Sequence, residues 1–137
     1  MSGIIGINFV AARTVGASEV KNIRGLVANT TTKATLLTPT SGKQVRLVAA
    51  SYVGEGQGTI FMELYFGTGT NITTTAGNEI WEGYHRYESA ASTPHLGDNR
   101  VWPDGAGPVG AVDEVISMRT DAALNGETSW ILHYREE

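Results

Sequence analysis

Residues 42–69, GKQVRLVAASYVGEGQGTIFMELYFGTG, contain the clearest structural signal in the sequence. Apolar residues alternate with polar or small ones over residues 43–52, as in a half-buried strand. Strict alternation would place one set of side chains on a common side: Val45, Leu47, Ala49 and Ser51. The pattern resumes over residues 59–66 with a bulkier apolar side, formed by Ile60, Met62, Leu64 and Phe66. The Gly-rich link between the two runs predicts a β-hairpin, with residues 60–66 as a central core strand.

Further strand signals lie on both sides of this segment. They cover residues 20–28, 34–38, 79–87, 112–120 and 128–135, and turn residues separate them. Residues 88–110 are predicted to form a long loop that contains one short apolar pair, Val101 and Trp102. No helical segment or internal repeat interrupts this series. We therefore predict an all-β fold: an antiparallel two-sheet β-sandwich, a jelly roll of about eight strands.

The length of 137 residues fits one domain. Residues 1–18 keep neither a helical nor a strand period, and we predict an extended N-terminal arm there, followed by a single β-sandwich domain over residues 19–137. The arm contains five apolar residues that would be costly to leave in water, at roughly 25 cal/mol per Å². These interface candidates are Ile4, Ile5, Ile7, Phe9 and Val10. We expect this chain or a neighbour to cover them.

Charge and composition exclude several classes of partner. The formal net charge is −4 and the ten basic residues are scattered, so we predict neither a nucleic-acid partner nor a membrane partner. The sequence has no cysteine, so disulfides and thiolate metal sites cannot form. The apolar N-terminal run has no basic residue before it and contains Asn8, which predicts that it is not a secretion signal.

No motif predicts catalysis. Residues 105–110, GAGPVG, match G-x-G-x-x-G, but Pro108 removes a backbone donor and strand-like residues follow, so we predict a turn and no cofactor. His85, His95 and His133 lack the spacing of metal ligands. The carboxylates can be combined into many pairs, and nothing selects one as a glycosidase pair. We predict no catalytic residue, no metal, and no enzyme.

Aromatic residues suggest a binding surface as an alternative. Trp81 and Tyr84 lie close together in sequence, and Trp102 lies near Asp104 in the predicted loop. Aromatic rings stack on sugars while carboxylates bind hydroxyl groups, so these four residues are candidates for a carbohydrate- or receptor-binding site. Trp and Tyr also fill sandwich cores and subunit interfaces, which is the commoner use. We therefore also consider Trp102 an interface candidate that anchors its loop against another subunit.

Three segments together resemble a family of viral proteins. They are residues 42–72, GKQVRLVAASYVGEGQGTIFMELYFGTGTNI, residues 79–84, EIWEGY, and residues 101–120, VWPDGAGPVGAVDEVISMRT, leading to ILHYREE at 131–137. In their general sequence character, these segments resemble the small capsid decoration or cement proteins of tailed bacteriophages, which have β-sandwich folds. The resemblance spans residues 42–137 and includes no diagnostic binding motif.

The resemblance implies a non-enzymatic virion protein that binds and stabilises the outer surface of a phage capsid as a homotrimer. Its partners would be further copies of itself and the major capsid protein or another virion component. Its location would be the virion, after assembly in the host cytoplasm. The apolar arm could then add a strand to an exposed sheet edge of a neighbour.

Overall fold

The computed structural model describes residues 18–28, 32–54, 58–69, 78–87, 96–103, 105–124 and 126–137. For residues 58–59, 82–87 and 96 it describes the backbone alone. Of the predicted arm, only Ser18 lies within these ranges. The division into arm and sandwich therefore stays a prediction.

The described residues form eight strands in two four-stranded antiparallel sheets. The strands are β1 (Lys21–Val27), β2 (Lys33–Leu37), β3 (Val45–Gly54), β4 (Gly58–Phe66), β5 (Glu79–Tyr87), β6 (Leu96–Val101), β7 (Ile116–Thr120) and β8 (Thr128–Glu136). Sheet 1 has the order β1-β8-β3-β6 and sheet 2 the order β2-β7-β4-β5. Strands β1 and β8, β2 and β7, β3 and β6, and β4 and β5 are paired, as in a long hairpin rolled up on itself. The predicted jelly-roll sandwich is confirmed.

The predicted hairpin between the two runs of residues 42–69 is wrong. Strand β3 lies in sheet 1 and β4 in sheet 2, so the link between them crosses from one sheet to the other. Both strands have an apolar side, and placing them in opposite sheets lets both sides face one core. The prediction that β4 is a central core strand is confirmed, because β7 and β5 flank it and its bulkier side is buried.

A β-bulge changes the faces of β3. The pairing with β8 shifts between Leu47 and Ala49, so one extra residue is inserted in β3. Val45 and Leu47 are buried as the alternation predicts, but beyond the bulge it is Ala50 that is buried. The predicted side for Ala49 and Ser51 is therefore wrong, and both face away from the core.

The predicted loop over residues 88–110 is also partly wrong. Strand β6 (Leu96–Val101) lies within it and pairs with β3. Its sequence, LGDNRV, lacks β-branched and aromatic residues apart from the last valine, because an edge strand needs little apolar surface. Strand β7 begins at Ile116 and not at residue 112, since residues 112–113 form a turn in which Asp113 has a φ of 62°.

The core lies between the two sheets. Leu47 and Leu132 of sheet 1 face Met62 and Ile116 of sheet 2, and each of these side chains is at most 2% exposed. Core clusters of this kind supply most of the stability of a domain without disulfides.

The middle of the outer face of sheet 2 is buried as well. Glu63 is fully buried there and accepts a hydrogen bond from Nε of Arg119, and this bond raises the pKa of Arg119. The guanidinium carbon of Arg119 lies 4.1 Å from the centre of the Tyr65 ring. Tyr65 donates a hydrogen bond to the carbonyl of Gly69, and burial raises its pKa. The segment after β4 thus folds back over this face.

Two carboxylates near the end of β8 join distant parts of the fold. Glu136 lies 2.5 Å from Nζ of Lys21 in β1, and it accepts hydrogen bonds from the backbone N and the hydroxyl of Thr40 at 2.6 and 2.9 Å. The hydrogen bond from Lys21, and then those from Thr40, lower the pKa of Glu136 to about 2. Glu137 pairs with Arg46, which lowers its pKa too.

We expect the free energy of unfolding of Glu136→Gln to fall less steeply with decreasing pH than that of the wild type. The pKa of Glu136 is about 2 in the folded state against an ordinary value of 4.5, so its contribution is complete above the ordinary value and disappears as the pH falls toward the folded value. Urea unfolding at a series of pH values between these limits measures the slope. A slope equal to that of the wild type would contradict the prediction.

Candidate interaction surface

The outer face of sheet 1 is open to solvent. The register of β1, β8, β3 and β6 defines its outward positions, which we call the open face. They are Asn22, Arg24, Leu26, Ala49, Ser51, Val53, Gly97, Asn99, Val101, Ser129, Ile131, His133 and Arg135. The inward positions alternate with these and include the buried residues Ala50 and Leu132.

Apolar side chains are exposed across the open face. Leu26 on β1 is 58% exposed, Val53 on β3 is 50% exposed, and Val101 on β6 is 71% exposed. A groove of about 530 Å³ runs along β1, β8 and β3 between Leu26, Val53 and Ile131. Ser51 and Ser129 place small side chains on the two central strands of the face. Apolar surface of this extent on a sheet face is typical of an interaction site.

The charge of the open face differs from that of the whole chain. No carboxylate occurs at its positions, whereas Arg24 and Arg135 do, although the chain has a net charge of −4. At one end of the face, Glu137 forms an ion pair with Arg46, which lies opposite Arg135. Exposed carboxylates lie elsewhere, at Glu19, Asp113, Asp121 and Glu127. The open face is therefore neutral to basic on an acidic protein, which favours an acidic partner surface.

The two sheets differ in what covers them. Sheet 2 has its outer face buried by the chain itself around Glu63 and Arg119. Sheet 1 leaves the open face uncovered at Leu26, Val53 and Val101. Antiparallel sheets can leave one face in water, but such faces normally carry polar side chains. The open face is the candidate functional site of this protein.

The interface residues predicted from the sequence have not been tested by the structure. Ile4, Ile5, Ile7, Phe9 and Val10 lie outside the described residues. Trp102 is half-buried and packs against the core, and its backbone N donates a hydrogen bond of 3.0 Å to the carbonyl of Val48. Trp102 thus contacts other parts of its own subunit, while its contact with another subunit stays a prediction.

Of the four predicted sugar-binding residues, the structure describes the side chains of Trp81 and Trp102. Trp81 packs against the core, with its ring centre 4.9 Å from that of Tyr52 at an interplanar angle of 46°. Trp102 also packs against the core. Asp104 and the side chain of Tyr84 lie outside the described residues, so the carbohydrate-binding alternative stays a prediction.

The glycine-rich run at residues 105–110 is hydrogen-bonded to β3 of sheet 1. Gly105 has a φ of 79° in a turn, and Val109 forms an isolated β-bridge with Arg46 of β3. Leu47 N donates to the carbonyl of Pro108, and Gly110 N donates to the carbonyl of Val45, both at 3.0 Å. The segment is bound along β3, and no helix follows it.

The described residues contain neither a metal-ligand cluster nor a membrane-spanning helix. Within them, no three His, Asp or Glu side chains are grouped as ligands for a metal ion. His133 lies half-buried on the open face beside Asn22 and Ala49. No helix long and apolar enough to cross a membrane occurs in the same part of the chain.

Comparisons with known proteins give no family. No family model matches the sequence, and no curated protein sequence matches it. Solved structures that align with this chain include those of infectious bursal disease virus strains Gx and Gt. The Gx alignment has 11% sequence identity and a TM-score of 0.34, and it covers 87% of this chain and 30% of the viral chain. The Gt alignment has 11% identity and a TM-score of 0.27, with 88% and 30% covered.

This chain thus spans less than a third of the length of either viral chain. TM-scores this low assign neither a fold nor a function to it. The jelly-roll description rests on the strand order and register of the chain itself.

Sequence reasoning missed the open face. Leu26, Val53 and Val101 each look like ordinary strand residues in the sequence, and only the register between four strands places them on one surface. A usable signal was the absence of acidic residues from residues 20–28, 45–53 and 128–135 of an acidic chain. Combining these segments required the sheet order.

Proposed function

We propose that this protein is a non-enzymatic structural protein of a virion, which self-assembles through the open face and stabilises the outer surface of a phage capsid. The observation that carries the proposal is the open face, an apolar and carboxylate-free surface on an otherwise acidic chain. Two further points support it. Jelly rolls are a common architecture of viral capsid domains, and three segments resemble phage decoration proteins. Because one fold serves many functions, the fold alone would not carry the proposal.

The occupant of the open face in this proposal is a second copy of the chain. Two open faces placed against each other would bring Arg24 of both copies together, with no carboxylate at the positions of either face. An open face placed against a different, acidic surface of the next copy avoids this repulsion. Exposed carboxylates off the face, such as Glu19 and Asp121, make such a surface available.

Contacts between two different surfaces generate a ring when the rotation closes. The homotrimer implied by the resemblance is such a ring, with one open face covered in each subunit. Many copies on a symmetric shell would then gain strength through multivalent binding. Light scattering over a dilution series tests the first step: a trimer mass supports the proposal, and a monomer at every concentration overturns the self-assembly part.

We expect Val53→Asp to shift the solution mass from trimer toward monomer. The new carboxylate would be desolvated in the interface and would face an acidic neighbour, at a cost of several kcal/mol in association. Val112→Asp is the matched control, because Val112 is 56% exposed against 50% for Val53 but lies off the open face. The free energies of unfolding of both variants should lie within about 0.5 kcal/mol of the wild-type value. Equal masses for the two variants would contradict the assignment of the open face.

We expect deletion of residues 1–18 to weaken binding to capsids while the sandwich stays folded. The deletion removes the predicted apolar arm, which in this proposal contacts the shell or a neighbouring subunit. Co-sedimentation with assembled shells measures binding, and far-ultraviolet circular dichroism checks the fold. Unchanged binding would exclude the arm from shell attachment and leave the open face unaffected as a proposal.

A further inference from the structure

Arg24 is an exposed arginine on the open face, and none of the described residues pairs a carboxylate with it. It lies opposite Ile131 and lines the groove that also contains Leu26 and Val53. Four other described cations form ion pairs within the chain: Lys21 with Glu136, Arg46 with Glu137, Arg100 with Asp98, and Arg119 with Glu63. Arg24 is therefore a positive charge beside apolar surface that its own described chain leaves unbalanced.

Glu127 is an exposed carboxylate with no hydrogen bond or ion pair among the described residues. It ends the connection between β7 and β8 and directly precedes Thr128. Other exposed carboxylates have partners in the chain: Asp113 accepts a hydrogen bond from Gly42 N, Asp121 accepts one from Phe61 N, and Glu137 pairs with Arg46. Glu19 is exposed as well, but Lys21 lies two residues away. No lysine or arginine occurs in residues 121–134, so the charge of Glu127 has no basic neighbour in sequence.

The end of the sandwich that carries Glu127, which we call the acidic end, differs in charge from the open face. Val27 and Gly54 both pair with Thr128 at this end. The sequences that connect the strands there are residues 28–32, 55–57, 88–95 and 121–127, and they contain four acidic residues and no lysine or arginine. In the described part, Asp121 and Glu127 carry this charge. The acidic end is thus complementary in charge to the open face.

The connection between β7 and β8 is held in one shape by its own chain. The hydroxyl of Thr120 donates to the carbonyl of Ala122 at 2.6 Å. Asp121 N donates to the carbonyl of Phe61, and Phe61 N donates to the Asp121 carboxylate, at 3.2 and 3.0 Å. Leu124 is 4% exposed and anchors the connection in the core, while Ala122 remains exposed. A partner surface that is already ordered loses little conformational entropy on binding.

The acidic end and the open face adjoin each other. Glu127 lies two residues before Ser129, which is the first position of the open face on β8. A subunit with two adjoining and complementary surfaces can use one surface for each neighbour in a ring. Contacts of this head-to-tail kind form a closed ring when the rotation between subunits closes.

We propose that Arg24 of one copy pairs with Glu127 of the next copy, which places the exposed Ala122 of that copy against the apolar groove between Leu26 and Val53. This contact rests on the self-assembly proposed above and specifies its second surface. An ion pair in water contributes little affinity, so the role of this pair is to select the orientation in which the two surfaces meet. Like charges at the same place would oppose association.

Charge reversal tests the pair. We expect Arg24→Glu and Glu127→Lys each to weaken association of the subunits about tenfold or more, measured as a dissociation constant by sedimentation equilibrium. The double variant Arg24→Glu, Glu127→Lys restores opposite charges across the contact. We expect its dissociation constant to lie within about threefold of the wild-type value, because the two changes are coupled. Losses that simply add in the double variant would overturn the pair.

Lys43→Glu and Glu19→Lys are the matched controls. Lys43 and Glu19 are exposed and lie off the open face, and each control changes the net charge as much as the variant that it matches. We expect both controls to associate like the wild type. A loss in Lys43→Glu equal to that in Arg24→Glu would reduce the effect to net charge and overturn the pair. A loss in Glu19→Lys with none in Glu127→Lys would overturn the choice of Glu127.

Failure of this pair is distinguishable from failure of self-assembly. If Val53→Asp dissociates the protein and Arg24→Glu does not, the open face still mediates assembly and the pair is overturned. A wild-type monomer at every concentration overturns both. Far-ultraviolet circular dichroism of each variant checks that a change in mass does not come from unfolding.

Discussion

Replacing Glu63 by alanine is expected to lower the free energy of unfolding by about 3 to 5 kcal/mol, the usual effect of removing one partner from a buried ion pair. Glu63 is completely buried, and the side chain of its partner Arg119 is only 7% exposed. Without the carboxylate, the buried guanidinium would lose this hydrogen bond and keep weaker interactions with the Tyr65 ring and with Glu79. Urea or guanidinium unfolding measures the change.

The double variant Glu63→Met, Arg119→Met is the control for this effect. It removes both charges and fills the site with apolar side chains of similar length, which is often neutral or stabilising. We therefore expect it to be more stable than Glu63→Ala, although it differs from the wild type at two positions. If Glu63→Ala lost less than about 1 kcal/mol, the pair would behave as a surface salt bridge and its burial would be contradicted.

The second large effect is expected for Gly107→Ala, with a loss of at least about 3 kcal/mol. A Cβ at residue 107 would lie 1.7 Å from the carbonyl oxygen of Leu47, a contact that only a backbone shift can relieve. The shift would strain the hydrogen bonds that hold this segment on β3, including those from Arg46 to the carbonyl of Gly107 and from Leu47 N to the carbonyl of Pro108.

Gly42→Ala separates this steric effect from the conformational preference of glycine. Gly42 has a φ of 80°, but a Cβ there would meet no atom within 4 Å. We expect a loss of about 1 kcal/mol, the cost of a side chain in the left-handed region. Thermal unfolding of both variants makes the comparison, and equal losses would contradict the close approach of Gly107 to β3.

Local pattern was sufficient to predict the strands with strong alternation. Ile60, Met62, Leu64 and Phe66 all face the core as their spacing predicts, because a strand buried on one side must repeat every second residue. The jelly roll also followed from the number of strands and the lack of helices. The partners of each strand could not be predicted, since the same apolar side fits either sheet, and so β3 and β4 were wrongly paired.

Three features depended on contacts that a single sequence does not contain. The bulge at Val48 depends on where β8 lies, and it reverses the side on which Ala49 and Ser51 lie. Strand β6 has little apolar character and exists because β3 offers it a free edge. Burial of Glu63 on the outer face depends on Arg119, which lies far away in the sequence.

The candidate site was the least predictable part. Aromatic and acidic residues carry chemistry that is recognisable in a sequence, and the apolar arm is recognisable by its composition. The open face consists instead of small, aliphatic and amide side chains with one His and two Arg, and their common feature is the absence of negative charge. Trp81, an alternative candidate for ligand binding, packs on the core, which is the commoner use of tryptophan in a sandwich.

The pairing of β1 with β8 has a consequence for the time the chain needs to fold. Lys21 is opposite Tyr134, so this pairing closes a loop of more than a hundred residues. Closing such a loop costs conformational entropy before the contacts between its ends can stabilise the chain. Proteins dominated by such pairings fold in milliseconds to seconds. Until β8 arrives, β1 and β3 both have unpaired edges, and copies made at high concentration could exchange strands. Rapid synthesis would therefore favour strand-exchanged oligomers. Slow expression at low temperature should increase the yield of native protein.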